Sequence, residues 1–479
     1  LAYRHGVYKS EVPTSLVPPV RTEAGLPVVI GTAPVHLTDP ECVNVPRLVY
    51  SYSEAVQAFG FSKDWEKYSI CEFTYSQFAL YGVGPCVFIN VLDPGEHKTA
   101  VDPAPVAIES GKANLGEGVL LDSVTVSGDP APVAGTDYAL GYDDEGNAIL
   151  SVLSGGSLAE AESVTLGFDR VDPSQVTAED IIGGIDVATG KRTGLELVNE
   201  IFPKFRILPG LILAPGWSEK PEVAAVMLAK AENVNGHFTA QALCDIPSAS
   251  GGAEKYTDAP GWKQNNNYAG ERQIVCWPKI KLGNDVFHLS TQLAGLMNTI
   301  DAGNEDVPYE SPSNKNLQMN ALVNASGEEV NLGPEMANYL NGQGIITALN
   351  WVGGWRAWGN RTACYPANTD PKDAFVPIRR MFDWIGNEFI LTFWQKVDGP
   401  MTLRLVKTIV NSFNVRLNGL AAREYILGGR VAFPEAENPL TDLMDGILKF
   451  HIYVTPPPPA REIRGTLEFD PQYFRALFD

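Results

Sequence analysis

Strands and helices alternate along most of this chain, and the alternation is broken once. That break limits the folds open to it. LPVVIGTAP (Leu26–Pro34) is a short apolar run that reads as a buried strand ending in a turn. SYSEAVQAFG (Ser51–Gly60) has a serine at the capping position and a terminal glycine, so it reads as a helix. SICEFTYSQFALYG (Ser69–Gly82) predicts a second helix and PCVFINVLD (Pro85–Asp93) a second buried strand. Strand, helix and strand in that order predict a parallel α/β sheet. From about Val101 to Gly190 the pattern changes. Short β-type runs (VLLDSVTVSG, DYALGYDDEGNAILSVL, SVTLGFDRV) are separated by glycine, proline and aspartate turns, and DDEGN (Asp143–Asn147) is a hairpin signal. The α/β pattern then resumes with TGLELVNEIFPKF, ILPGLILAPGWS, KPEVAAVMLAKAENV, GHFTAQALCDIP, RQIVCWPKIKL and DVFHLSTQLAGLMNTIDA. These readings predict one central α/β domain (21–100 and 191–350) with a small all-β domain (101–190) inserted in it. An insertion requires its two ends to lie close together.

The C-terminal part has a different period. WVGGWRAWGNRT (Trp351–Thr362) places three tryptophans and two arginines among glycines. In PIRRMFDWIGNEFILTFWQK (Pro377–Lys396), Ile378, Phe382, Ile385, Phe389 and Phe393 recur at helical spacing, and Arg379, Arg380, Asp383, Asn387 and Glu388 fall on the other face. After VDGP a second helix is predicted, with Pro400 in its first turn and Gly419 just past its end. Its apolar stripe is Leu403, Val406, Val410, Phe413 and Leu417; Arg404, Lys407, Asn411 and Asn418 lie opposite. Two such helices form an αα-hairpin that needs an apolar cover. YILGGRVAF (Tyr425–Phe433) and ILKFHIYVT (Ile447–Thr455) are the strands available for it. The expected C-terminal α+β domain spans 351–460.

Both ends read as extended arms. VYKSEV, including Val7, Tyr8 and Val12, suits a short strand, but Pro13, Pro18 and Pro19 stop a longer ladder. At the other end Pro456–Pro459 terminate a strand and favour a stiff extended segment. REIRGTLEFD then alternates Thr466, Glu468 and Asp470 against Leu467 and Phe469, which predicts a strand held away from the one before. The arms are assigned to 1–20 and 461–479. Unpaired strand edges are normally hidden. Joining a neighbouring molecule's sheet would hide them; folding back on their own domain is the alternative.

A chain of 479 residues is long for one core and predicts two to four domains. The formal charge of −21 is uneven: residues 101–190 carry net −14, whereas 361–479 are balanced. An acidic middle argues against nucleic acid, which demands a basic footprint. The asymmetry suggests a middle that stays in water and a C-terminal part that meets protein. No apolar run approaches a membrane span, and LAYRHGVYKSEV lacks the pattern of a cleaved signal, so a soluble protein with no membrane insertion is expected. Six scattered cysteines with no C-x-x-C pair suggest buried thiols and no zinc site.

Motifs for chemistry are weak. The only His-Gly is His5–Gly6, and neither His237 nor His288 has a nucleophile turn beside it, so no serine triad is expected. GGIDVATGKRT (Gly183–Thr193) has the wrong spacing for a phosphate loop. Asp143, Asp144, Glu145 and Asn147 suit a solvated hairpin tip better than a calcium loop. Trp351, Trp355 and Trp358 with Arg356 and Arg361 suit packed aromatics with cation–π partners at a domain junction. No catalytic, cofactor or metal residue is assigned.

WRAWGNRT, IRRMFDWI and GILKFHIYVTPPPPAREIRGTLEFD resemble the C-terminal domain of contractile-tail sheath proteins. HGVYKSEVPTS, LPVVIGTAPV, DIIGGIDVATGKRTGLELV and LILAPGWS also look like that family, so the resemblance covers nearly the whole chain and is weakest in 101–190. It implies a non-enzymatic structural subunit with a central domain of subtilisin-like fold, an outward-facing inserted domain and a C-terminal domain facing an inner tube. The arms would interlace with neighbouring subunits through Val7, Tyr8, Val12, Thr466, Leu467, Glu468 and Phe469. Arg404, Lys407 and Asn411 become candidates for touching the tube, against an ordinary solvated face. The implied partners are copies of itself in stacked rings, the tube protein, and baseplate and tail-terminator proteins. The implied location is a virion tail or related particle assembled in a bacterial cytoplasm. Two rival readings remain: a hydrolase on the α/β domain, and a receptor-binding module using the inserted β domain.

Overall fold

The computed structural model describes residues 24–38, 40–143 and 145–477. In chain order, the first elements are β1 (Pro27–Gly31), β2 (Arg47–Val49), α1 (Tyr52–Phe59), α2 (Ser69–Thr74, continued by a π-helical turn to Leu80) and β3 (Cys86–Asn90). Six strands follow: β4 (Lys98–Ala107), β5 (Lys112–Glu117), β6 (Thr125–Ser127), β7 (Tyr138–Tyr142), β8 (Asn147–Val152) and β9 (Ser163–Val171). Next come α3 (Ala178–Ile182), α4 (Val198–Phe205), β10 (Leu211–Leu213), α5 (Pro221–Glu232), β11 (Gln241–Asp245), α6 (Ala259–Asn265) and β12 (Gln273–Cys276). They lead to β13 (Lys279–Leu282), β14 (Asp285–Phe287), α7 (Leu289–Gly303), β15 (Ala321–Val323), α8 (Pro334–Asn341), β16 (Ile345–Trp351) and β17 (Gly354–Trp358). The last elements are α9 (Pro371–Ala374), α10 (Val376–Phe393), α11 (Leu403–Ala422), β18 (Gly428–Ala432), α12 (Leu440–Met444) and β19 (His451–Thr455).

The apolar runs of the first and third quarters become one eight-stranded sheet in the order β17-β16-β12-β11-β10-β1-β3-β2. The six inner strands are parallel, and the two edge strands are antiparallel to their neighbours. A parallel sheet is covered on both faces, so its strands are apolar throughout instead of alternating. β1, β3, β11 and β12 are buried along their whole length. Two apolar clusters result, one on each face: Val28 and Ile30 point into the first, Val29 into the second. The predicted caps hold at α1. Ser51 accepts the Glu54 amide, and Gly60 takes φ 73° where a side chain would meet the Pro34 carbonyl oxygen.

Strands β4 to β9 form two three-stranded antiparallel sheets around their own core of Leu115, Val119, Leu150, Leu166 and neighbours. Lys98 is paired with Val171, so the body begins and ends at one place. The expected span of 101–190 is too long at its C-terminal end. Val176 and Ile181 are buried in the core of the large sheet, and α3 starts there in a capping box of Thr177 and Asp180. DDEGN does join two paired strands, β7 and β8.

Three local expectations at the C-terminal end are corrected. Trp351–Trp358 does not begin a new domain: it is the β16–β17 hairpin at the edge of the large sheet. Its glycines make the tight turn between the two strands, Gly353 and Gly354 both at positive φ. The second helix starts at Leu403, with the Thr402 hydroxyl accepting the Leu405 amide, so Pro400 lies before it. It runs through Gly419 to Ala422, where packing of Leu420 outweighs the weak helix propensity of glycine. The αα-hairpin of α10 and α11 is otherwise as read. Ile385, Phe393, Phe413 and Leu417 form its core with Ile426 and Val431, and the β18–β19 pair covers it.

Candidate functional site

In α10 periodicity identifies two faces and mistakes the fate of one. The polar residues Arg379, Arg380, Asp383, Asn387 and Glu388 are all buried. Arg379, Arg380, Asp383 and Asn387 face the large sheet and its helices across a charged seam. Asp383 accepts hydrogen bonds from Arg272 (2.8 Å), Arg379 (2.8 Å) and Gln241 (2.7 Å). Arg379 also reaches Asp373 at 3.0 Å, and Lys372 pairs with that same carboxylate. Burial works against the Asp373 charge, but Lys372 and Arg379 hold its carboxyl below the usual carboxylate range. Arg380 pairs with Asp301 at the end of α7, and Asn387 exchanges two hydrogen bonds with the Thr239 backbone. On the other side Arg416 from α11 donates to Glu388 at 2.8 Å and lies over the Trp384 ring. One more tie lies nearby. The Lys263 ammonium donates to the carbonyls of Gln343, Ala363 and Tyr365, and burial lowers its pKa to about 8. The helix pair is therefore bolted to the sheet by charge. The signal in the sequence was a helix with apolar residues all round it, including Met381 and Trp384 between the charged positions, which marks a helix buried on every side.

Ligands of open α/β sheets bind beyond the C-terminal ends of the strands, where strand order reverses. Here that place, beyond β1 and β10, is filled by side chains. Asn90 caps the Ala33 and Leu92 amides, and Thr32 is bonded to Lys67 and Ser69. His288 Nδ1 donates to the Glu72 carboxylate at 2.8 Å, and the ring stands 3.6 Å from Glu219. Burial alone would lower the His288 pKa; the Glu72 carboxylate lifts it to about 9. Ser290, two residues on, is hydrogen-bonded to Asp245, whose pKa burial raises to about 6. The structure thus gathers a histidine, a serine and acids that sequence reading left scattered, but it commits serine and histidine to different carboxylates. His237 lies elsewhere, edge-on to Trp394.

The remaining motifs are structural. Gly183–Thr193 is a turn in which Asp186 accepts from Ala188 and Thr189. Asp143 caps the amides of Glu145 and Asn147 at the hairpin tip; Asp144 lies outside the described residues. Among the described residues no group of three or more His, Cys, Asp and Glu could hold a metal ion. No helix among them is long and apolar enough to cross a membrane. All six cysteines are buried thiols. Arg361 is sandwiched between Tyr365 and Phe375, not the tryptophans; Arg356 bonds the Asn314 and Val352 carbonyls, and Trp351 is exposed at the hairpin tip.

Two stretches near the C-terminal end expose the side chains singled out in the sequence. Arg404, Lys407 and Asn411 are exposed along one side of α11, together with Leu403 from the expected apolar stripe. After β19 and the four prolines, residues 460–470 form neither helix nor strand, and a 3-10 turn follows at Pro471–Leu477. Thr466, Leu467, Glu468 and Phe469 are all exposed, Leu467 fully and Phe469 to 78%. The strand expected there is not formed in the single chain. Val7, Tyr8 and Val12 lie outside the described residues.

No family model matches the chain. The tail sheath protein of Burkholderia phage BcepMu is 29% identical over 99% of this chain and 98% of its own length. The chain is thus similar over almost its whole length to a phage tail sheath protein. The major tail sheath protein of Serratia phage KSP20 is 26% identical over 64% of the chain and 75% of its own length. Among solved structures, the sheath complex of an extracellular contractile injection system in its contracted state aligns over 99% of both chains at TM-score 0.59 and 13% identity. The contracted helical sheath of the anti-feeding prophage covers 98% of this chain and all of its own at TM-score 0.56 and 15% identity. These last two show the mixed α/β, multidomain fold of sheaths.

Proposed function

We propose that this protein is the structural sheath subunit of a contractile tail. Many copies polymerise as a helical array around an inner tube and shorten to drive the tube through a target envelope. The observation that carries this reading is the end-to-end match to a phage tail sheath protein, which leaves almost no part of either chain unaccounted for. The work would come from differences in buried interface between an extended and a contracted array, summed over copies, and no active site is required.

Within that reading the large sheet is the subtilisin-like domain, β4–β9 is an outward-facing insertion, and the α10–α11 pair with β18–β19 faces the tube. Supporting the division are the separate apolar clusters of the three parts. The terminal arms, through Val7, Tyr8, Val12 and Thr466–Phe469, add strands to sheets of neighbouring subunits. In support, Leu467 and Phe469 are exposed, and β18–β19 pairs with no third strand among the described residues. Arg404, Lys407 and Asn411 are proposed tube contacts, and copies of itself, the tube, the baseplate and a terminator are the proposed partners. Assembly would take place in a bacterial cytoplasm, and the location is a tail or related particle.

Electron microscopy of the purified protein, alone and with its tube protein, tests the proposal. Hollow helical tubes of uniform diameter are expected. A protein that stays monomeric at high concentration with the tube present would overturn it.

A further inference from the structure

The chain enters the large sheet through a narrow place. Ala24 packs against the core of the helix pair, whereas Leu26, two residues later, is buried in the core of the sheet. Arg380 of α10 donates to the Ala24 carbonyl at 3.3 Å while it pairs with Asp301 at the end of α7. Both charged side chains are almost wholly buried. Gly25 leaves no space: a Cβ there would lie 2.3 Å from the Asn298 Oδ1 and 2.9 Å from Asp301 Oδ2. That Asn298 oxygen is buried and has no hydrogen-bond partner among the described residues. On the opposite side a Cβ on Gly210 would stand 2.2 Å from the Ala24 carbonyl oxygen. The Leu26 carbonyl then accepts the amides of both Gly210 and Leu211.

We propose that Arg380, Asp301 and the glycines at 25 and 210 form a clamp that fixes where the N-terminal arm leaves the subunit. A pull on the arm would reach α10 through Arg380, α7 through Asp301 and β10 through the Leu26 carbonyl. It would load the tube-facing and sheet parts of the subunit together and would not peel β1 from one end. Arg380 is then a positioning residue for the linkage. This inference rests on the reading that residues 1–20 connect subunits.

The test uses the full chain with Arg380→Met and Asp301→Leu together, which removes both charges and leaves neither buried alone. Amide exchange at Gly210 and Leu211 reads the clamp directly, and microscopy reads the linkage. The clamp predicts exchange at least tenfold faster at these two amides, unchanged exchange in β11 and β12, and tubes that fragment. Exchange within twofold of the unsubstituted protein would overturn the clamp, and faster exchange with intact tubes would overturn its part in bearing load. If the double variant does not fold, Gly25→Ala, which drives a methyl group against Asn298 and Asp301, is held to the same exchange criterion. A chain lacking residues 1–20 tests the parent reading separately. Should it build tubes equal to those of the full chain, the linking role of the arm fails, while the exchange result still decides the clamp.

Discussion

Asp383 holds together parts of the chain that are far apart in sequence: Arg272 before β12, Gln241 in β11 and Arg379 one turn earlier in its own helix. Removing this carboxylate takes the acidic partner away from the Arg272 guanidinium and leaves Arg379 with Asp373 alone. Breaking a buried pair in this way costs about 3–5 kcal/mol. Asp383→Ala should therefore lower the urea midpoint clearly, whereas Arg404→Ala on the open face of α11 should change the unfolding free energy by no more than about 0.5 kcal/mol. Equal effects of the two would refute the division of this helix pair into a bolted face and an open face. His288 gives a second residue-scale test. Its pKa is near 9 in the fold and about 6.5 unfolded. The contribution, about 3 kcal/mol, is fully present below pH 6.5 and disappears as pH rises through 9. Asp245, raised to about 6, acts in the same direction at lower pH, since the fold favours its protonated form and gains stability as pH falls through 6. Urea midpoints should thus fall between pH 7 and pH 9.5, and His288→Gln should flatten that part of the curve. A slope that survives the substitution would assign the effect to other groups.

At the scale of elements, the inserted body offers a test of boundaries. Lys98 and Val171 are strand partners, so residues 99–170 can be replaced by a short glycine linker without stretching the chain. The product should melt within a few degrees of the full protein. Deleting 101–190 should instead abolish folding, because it takes Val176 and Ile181 out of the main core. Similar melting of both variants would show that these two side chains matter little. What sequence made legible follows from the same physics. The inner strands were readable because burial on both faces requires unbroken apolar runs, as in PVVIG and CVFIN. The α1 caps were readable because they are local. The seam on α10 was not, because a 3.6-residue period separates two faces without saying what covers the second. Asp301 and Arg272, which satisfy its arginines and Asp383, lie 79 and 111 residues away along the chain. The crevice around His288 was hidden for the same reason, since Glu72 is 216 residues distant.

At the scale of the whole molecule, charge opposes polymerisation. Each copy carries −21, and residues 99–170 contribute twelve acids and two bases. Bringing like-charged subunits into a tube costs repulsion that falls as salt shortens the screening length, from about 30 Å at 0.01 M to about 8 Å at 0.15 M. The proposed arm link between subunits would not depend on charge in the same way. Leu467 and Phe469 would each contribute about 1.5–3 kcal/mol when buried on a neighbour, and each backbone hydrogen bond of an added strand about 0.5–1.5 kcal/mol. Assembly should therefore be promoted by added salt. A chain without 99–170, at a formal charge of −11, should assemble at lower salt than the full protein. Removing Arg464–Asp479 has a different expected result. The monomer should melt almost unchanged, since Leu467 and Phe469 are exposed in it, yet no connected tube should form at any salt concentration. Light scattering across a salt series, with microscopy of the end products, separates the two effects. Connected tubes from the truncated chain at high salt would show that reduced repulsion alone suffices for assembly, and that the arm is not the link.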